Sequence, residues 1–139
     1  MEGTENFKPK HPYELFGVEC GSGWYQLLEP IYNYIEKYNS DIPEEEKIQI
    51  LQVKEKYGTL NVYVSHGTRE LFDLIDFAES ESENVCEDCG TRHNVGTTMV
   101  GWIRTICLDC AKKEAVGRGY PIVLQMNDTK QIFEISENE

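Results

Sequence analysis

The sequence predicts an α+β protein, with a small helix–hairpin–helix body followed by a compact module organised by four cysteines. Three observations carry this prediction. Apolar residues recur at spacings of three and four in two segments, the period of a half-buried helix. Between those segments two β-rich runs meet around Tyr57-Gly58-Thr59, the pattern of a hairpin. Cysteines then fall in two matched pairs, Cys86 with Cys89 and Cys107 with Cys110.

Residues 1–12 are polar, carry Pro9 and Pro12, and are expected to form a flexible leader. The body spans 13–84. Glu19-Cys20-Gly21-Ser22-Gly23 reads as a turn, with Ser22 expected to cap the helix that follows. Trp24, Leu27, Leu28, Ile31, Ile35 and Tyr38 form one apolar stripe. Pro30 inside it predicts a kink or two short helices. Asn39 to Pro43 is a turn, and Glu44 to Glu46 a solvated acidic patch. In the hairpin, Ile48, Ile50, Leu51 and Val53 precede the strict alternation of Leu60, Val62 and Val64. The phase shift between Ile50 and Leu51 predicts a bulge. Thr68 is placed to cap a second helix whose buried stripe is Leu71, Leu74, Ile75 and Ala78. Residues 79–83 read as a frayed helix end or short linker.

The module spans 85–117. Its cysteines give C-x2-C, a 17-residue spacer and C-x2-C. Two thiolates three positions apart share one metal across a tight turn, and two such turns complete a tetrahedron. Gly90 suits the first turn, the spacer accommodates a hairpin, and Ala111 to Ala115 look helical. Knuckle, hairpin and helix in that order predict a treble-clef or zinc-ribbon-like module with one structural Zn2+ per chain on Cys86, Cys89, Cys107 and Cys110. Val95, Met99, Val100, Trp102 and Ile106 are its expected apolar content, so metal binding is expected to supply much of its folding free energy. A tail, 118–139, follows. Ile122-Val123-Leu124 and Gln131 to Ile135 suit short strands around Asn127-Asp128, ahead of an acidic end expected to be disordered.

The chain has 139 residues and a formal net charge of −12, which opposes the simplest nucleic-acid reading. No apolar run approaches a membrane span, and the first residues show no secretory pattern, so the expectation is a cytoplasmic protein without a membrane role. Cysteines in that setting point to metal or redox chemistry rather than a disulfide framework. A closed four-thiolate site leaves no position for substrate, which favours architecture over catalysis. A zinc deaminase needs His-x-Glu upstream of Pro-Cys-x-x-Cys, whereas His66 is followed by Gly67-Thr68 and Val85 precedes Cys86. A treble-clef nuclease needs further histidines beyond His93-Asn94. No complete catalytic constellation is present, and a non-enzymatic protein is expected.

Phe16 to Tyr25, Gln52 to Leu60, and Cys86 to Gly90 joined with Gly101 to Cys107 resemble segments of small uncharacterised zinc-binding proteins encoded by tailed bacteriophages and prophages. Order and spacing are similar too, over roughly residues 13 to 112. The resemblance implies a phage protein acting in the cytoplasm of a bacterial host, and it implies no activity.

Outside the cysteines, Arg104, Trp102, Lys54, Lys56, Tyr57 and Trp24 are the candidate ligand-binding residues. Lys54 and Lys56 point the same way on one strand if no bulge separates them. Arg104 near Trp102 would pair a guanidinium with an aromatic face, which suits nucleotide phosphate and base, or would instead bind carboxylates of this acidic chain. Residues 91–118 hold five basic residues against two acidic ones. Gly21-Ser22-Gly23 is either a plain turn or an anion cradle. Cys20 is either a small buried residue or a thiol activated by the adjacent helix. The expected function is binding of a host target, counter-defence by sequestering a phosphate-bearing nucleotide signal or masking a host protein, by a homo-oligomer. The alternative is a nucleic-acid-binding regulator using the basic module. An enzyme with Cys20 as nucleophile ranks below both.

Overall fold

Leu27, Leu28, Ile31 and Ile35 form the buried face of helix α1 (Tyr25–Asn39), entered through a 3-10 turn (Ser22–Trp24). The computed structural model describes residues 18–136. The expected leader, the first residues of the body and the last three residues of the acidic end lie outside them. Two short helices do not form at Pro30, since α1 runs through it. Proline withholds only the N–H that would meet the Gln26 carbonyl, and the buried stripe continues on both sides. Ser22 is not a cap: no side chain caps the 3-10 turn or α1.

Strands β1 (Ile50–Lys56) and β2 (Thr59–Val64) pair antiparallel from Ile50↔Val64 to Lys56↔Thr59. The register shifts between Ile50 and Gln52, so the expected bulge falls at Leu51, which is exposed. Tyr57 and Gly58 close the hairpin with φ of 54° and 83°. Positive φ at both central positions is the two-residue turn that follows strand twist. Helix α2 (Arg69–Ser82) starts at the expected cap, where the Leu71 N–H donates to Thr68 Oγ1 at 3.1 Å. Its side chains finish the outer edge of β2: the Leu60 N–H donates to Ser82 Oγ and the Val62 N–H to Glu79. Backbone donors that would face water are thereby satisfied. Burial keeps the Glu79 carboxyl above its usual range, although the Val62 N–H pulls it back down.

The second half is one antiparallel sheet and one helix. Strands β3 (Val95–Thr98), β4 (Thr105–Cys107), β5 (Ile122–Met126) and β6 (Ile132–Ile135) lie in the order β4-β3-β5-β6, and helix α3 (Leu108–Arg118) follows β4 directly. The short strands expected after residue 118 thus form, and β5 is an inner strand of the cysteine segment's own sheet. The molecule is accordingly mixed α and β, with three α-helices and two antiparallel sheets among the described residues.

One expectation about packing is overturned. Val95 and Ile106 are buried, but Met99, Val100 and Trp102 are exposed. Their place in the core is taken by Ala111, Ala115, Ile122, Leu124, Met126 and Ile135. The loop residues sit at the far end of the β3–β4 hairpin, beyond reach of the core, whereas β5 and β6 run alongside it. Body and cysteine segment meet along a hydrogen-bonded seam. The Trp24 indole N–H donates to Val85 O at 2.8 Å, and the Gly23 N–H to Glu87 O at 2.7 Å.

Candidate metal centre and adjoining clefts

Four cysteines converge from two local structures of the same design. In the first, a tight turn places Cys86 and Cys89 together, with the Gly90 N–H on Cys86 O at 2.9 Å and Gly90 at φ 84°. In the second, Cys107 ends β4 and Cys110 lies in the first turn of α3. Each leading sulfur accepts the N–H of the cysteine three positions on: Cys89 N to Cys86 Sγ at 3.5 Å, Cys110 N to Cys107 Sγ at 3.4 Å. Such bonds stabilise thiolate character. The four sulfurs lie within 4.8 Å of one another. Cys89 and Cys107 Sγ are 3.7 Å apart. A tetrahedral thiolate site with metal–sulfur bonds of about 2.3 Å has edges of about 3.8 Å, so both the donor set and the spacing fit a metal ion. Cys86 and Cys107 are buried, Cys110 is partly covered, and Cys89 is exposed.

Glu87, between the first two ligands, joins this centre to the body. Its carboxylate accepts the Gly21 N–H at 2.8 Å and its carbonyl the Gly23 N–H at 2.7 Å. The glycine turn therefore commits one N–H to an internal carboxylate and one to a backbone carbonyl. Cβ atoms at Gly21 and Gly23 would collide with the backbone of Glu87, and at Gly23 with that of Cys86 as well, which explains the two glycines. Burial pushes the neighbouring Cys20 thiol up to about 12, and the Glu87 and Glu55 carboxylates add to it. A thiol in that setting stays protonated at neutral pH, the opposite of an activated nucleophile.

Four of the candidate ligand residues come together. Lys54, Lys56, Tyr57 and Trp102 line one cleft of about 420 Å³, with Glu55, Gly101 and Ile103. The bulge at Leu51 precedes both lysines, so strand alternation leaves them on one face. Neither makes an ion pair with a described carboxylate. Opposite stands the β3–β4 loop, closed at its base by Thr98, whose hydroxyl donates to Trp102 O at 2.7 Å and accepts the Arg104 N–H at 2.8 Å. The Trp102 indole N–H donates to Glu55 Oε1 at 3.1 Å, which fixes the ring across the cleft. Tyr57 and Trp102 are each 74% exposed.

The other two candidates are corrected. Trp24 is fully buried, with its indole N–H committed to Val85, and is a core residue at the seam. Arg104 faces away from the cleft. Its Nη1 lies 2.7 Å from both carboxylate oxygens of Glu114, and its Nη2 3.2 Å from Asp88. Burial tends to lift the Glu114 carboxyl, but the Arg104 and Arg118 guanidiniums outweigh it and hold the group below its usual range. Arg92 pairs with Glu81, and Arg118 with Glu114. Three of the five basic residues in 91–118 are thus neutralised by carboxylates, which removes most of the basic face a nucleic-acid interface would use. Glu55 and Ile103 carried no recognisable signal in the sequence, because the Glu55–Trp102 bond spans 47 residues.

No helix among the described residues is long and apolar enough to cross a membrane. Comparison with protein-family models, curated proteins and solved structures gives no match.

Proposed function

We propose that this is a non-enzymatic, zinc-stapled binding protein whose cleft between the β1–β2 turn and the β3–β4 loop takes a phosphate-bearing nucleotide. The metal is one structural Zn2+ per chain in a treble-clef arrangement of knuckle, hairpin and helix, and the helix–hairpin–helix body carries the opposite wall of the cleft. One observation carries the reading: Lys54, Lys56, Tyr57 and Trp102, from two distant segments, line the same cleft. Two ammonium groups suit phosphate, and two exposed rings suit a base, where stacking contributes about 1–3 kcal/mol per base. Its volume of about 420 Å³ lies within the range of small-molecule sites. The resemblance to tailed-phage and prophage proteins supports only the setting, a bacterial host's cytoplasm; there the cleft would sequester a nucleotide signal in counter-defence, with a homo-oligomer as the working form.

Masking of a host protein is the second reading, and the exposed Met99, Val100 and Ile103 beside Trp102 favour it. Trp24 is buried and Trp102 exposed, and these are the two tryptophans of the chain. Quenching of tryptophan fluorescence by UDP, ADP and GDP therefore reports on the cleft. The expected result is saturable quenching by at least one of them, weakened about tenfold or more by Lys54→Ala with Lys56→Ala. No quenching by any nucleotide, from zinc-loaded protein, would overturn the reading and leave host-protein masking.

A further inference from the structure

A second cleft, of about 410 Å³, opens on the other strand of the same hairpin. Tyr57 lines both, so the chain passes from one cleft to the other at that residue. The two differ in chemistry. Where the first has aromatic walls and two lysines, the second is lined by Thr59, Glu83, Asn84, Thr97, Asn127 and Lys130. The side chains of Thr59, Asn84 and Thr97 and the Lys130 ammonium make no hydrogen bond to another described residue. One carboxylate and one ammonium leave this cleft balanced in charge, and Tyr57 is its one ring.

The conformation of Tyr57 is a separate observation. Its φ is 54°, in the left-handed region where a side chain with Cβ costs about 1–2 kcal/mol, and where asparagine or glycine is the ordinary choice in this turn. Strain of this kind persists where a side chain is needed in place. Tyr57 is 74% exposed, so packing does not require it.

We infer that the ligand straddles Tyr57 and is a nucleotide sugar: a nucleoside diphosphate in the aromatic cleft, with an uncharged, hydroxyl-rich group on its terminal phosphate reaching into the polar one. This rests on the nucleotide reading above. Hydroxyls are both donors and acceptors, and the Asn84 amide, the Thr59 and Thr97 hydroxyls, the Glu83 carboxylate and the Lys130 ammonium match that mixture. The Asn127 amide N–H and the Thr105 hydroxyl are committed to the Glu83 and Gly58 carbonyls. A second base would need another aromatic wall, and further phosphates an excess of cations. The polar cleft has neither.

The test titrates UDP, ADP and GDP against UDP-glucose, ADP-glucose and GDP-mannose, by calorimetry on the zinc-loaded full chain. At least one sugar nucleotide should bind about tenfold more tightly than its parent diphosphate. Thr97→Val and Lys130→Gly together should erase that gain while leaving the parent's affinity unchanged. Valine keeps the strand shape, and glycine suits the positive φ of 64° at Lys130, so both variants should fold. Equal affinities for parent and sugar, or a gain that survives in the double variant, would overturn the inference and leave the aromatic cleft standing. Absence of binding by every diphosphate and sugar nucleotide would remove both readings.

Discussion

Tyr57→Asn should make the protein more stable and a poorer binder. The left-handed conformation costs a tyrosine about 1–2 kcal/mol, and asparagine less, because its short amide bonds to local backbone. Against this gain stands the area that Tyr57 covers. The residue is 74% exposed. Of an aromatic surface of about 200 Å², roughly 50 Å² is therefore buried, worth about 1 kcal/mol at 25 cal/mol per Å². Asparagine retains part of that, since some of the covered area is backbone. The bond from Thr105 Oγ1 to Gly58 O, at 2.6 Å, is untouched. The net expectation is a gain of about 0.5 kcal/mol, or a rise in Tm of about 1–2 °C for a chain of this size. Thermal unfolding of the zinc-loaded protein, followed by circular dichroism, measures it. Nucleotide binding in the same preparation should fall about tenfold as one stacking wall is lost. A fall in Tm of more than 2 °C would refute the reasoning, because the tyrosine would then be there for packing.

Other consequences concern the seam, the metal and the ion pairs. Gly23→Ala sets a methyl against the carbonyl oxygens of Cys86 and Glu87, and should cost about 3 kcal/mol or more, read as a loss of Tm with zinc present. An unchanged Tm would show that the seam yields easily. Cys86→Ser, or a chelator added to the native chain, should release one metal ion per chain and abolish the near-ultraviolet signal of the folded state. A full signal after metal release would refute the staple. The depressed Glu114 carboxyl contributes stability that is present above the unfolded value and lost as pH falls through the folded one. Glu114→Gln should therefore cost about 1–2 kcal/mol at pH 7 and progressively less below pH 4. A cost independent of pH in that range would locate the effect in packing rather than charge.

Much of the architecture was legible because it depends on local period and local chemistry. The stripe from Leu27 to Ile35, the Thr68 cap, the bulge at Leu51 and the turn at Tyr57-Gly58 all follow from residues within a few positions of one another. The cysteine cluster was legible for the same reason, since each pair is a local turn. Ser22 was misread because the backbone of the entering 3-10 turn does what its hydroxyl was expected to do, the Trp24 N–H donating to Gly21 O at 3.2 Å. Of the two readings of Pro30, the break into two helices is excluded, since buried apolar faces carry α1 through the proline.

Arg104 shows where such reading ends. The sequence offered it either an aromatic partner or carboxylates of this acidic chain. The second is realised, but which carboxylates, Glu114 and Asp88, ten and sixteen positions away, only the fold specifies. Met99, Val100 and Trp102 were indistinguishable by composition from core residues, and only the sheet order, with β5 beside β3, decided that Ile122, Leu124 and Met126 would fill the interior. By itself the sequence determined most of the elements, the Thr68 cap, the hairpin turn and the two cysteine pairs, because these arise from contacts spanning a few residues. The tertiary structure alone decided which lysines and rings share a cleft, which basic groups are already paired, and which apolar residues remain in water. The shared cleft depends on segments about 50 residues apart meeting in space, and the pairing of Arg104 and Arg92 on partners ten to sixteen positions away, relations that no local pattern records.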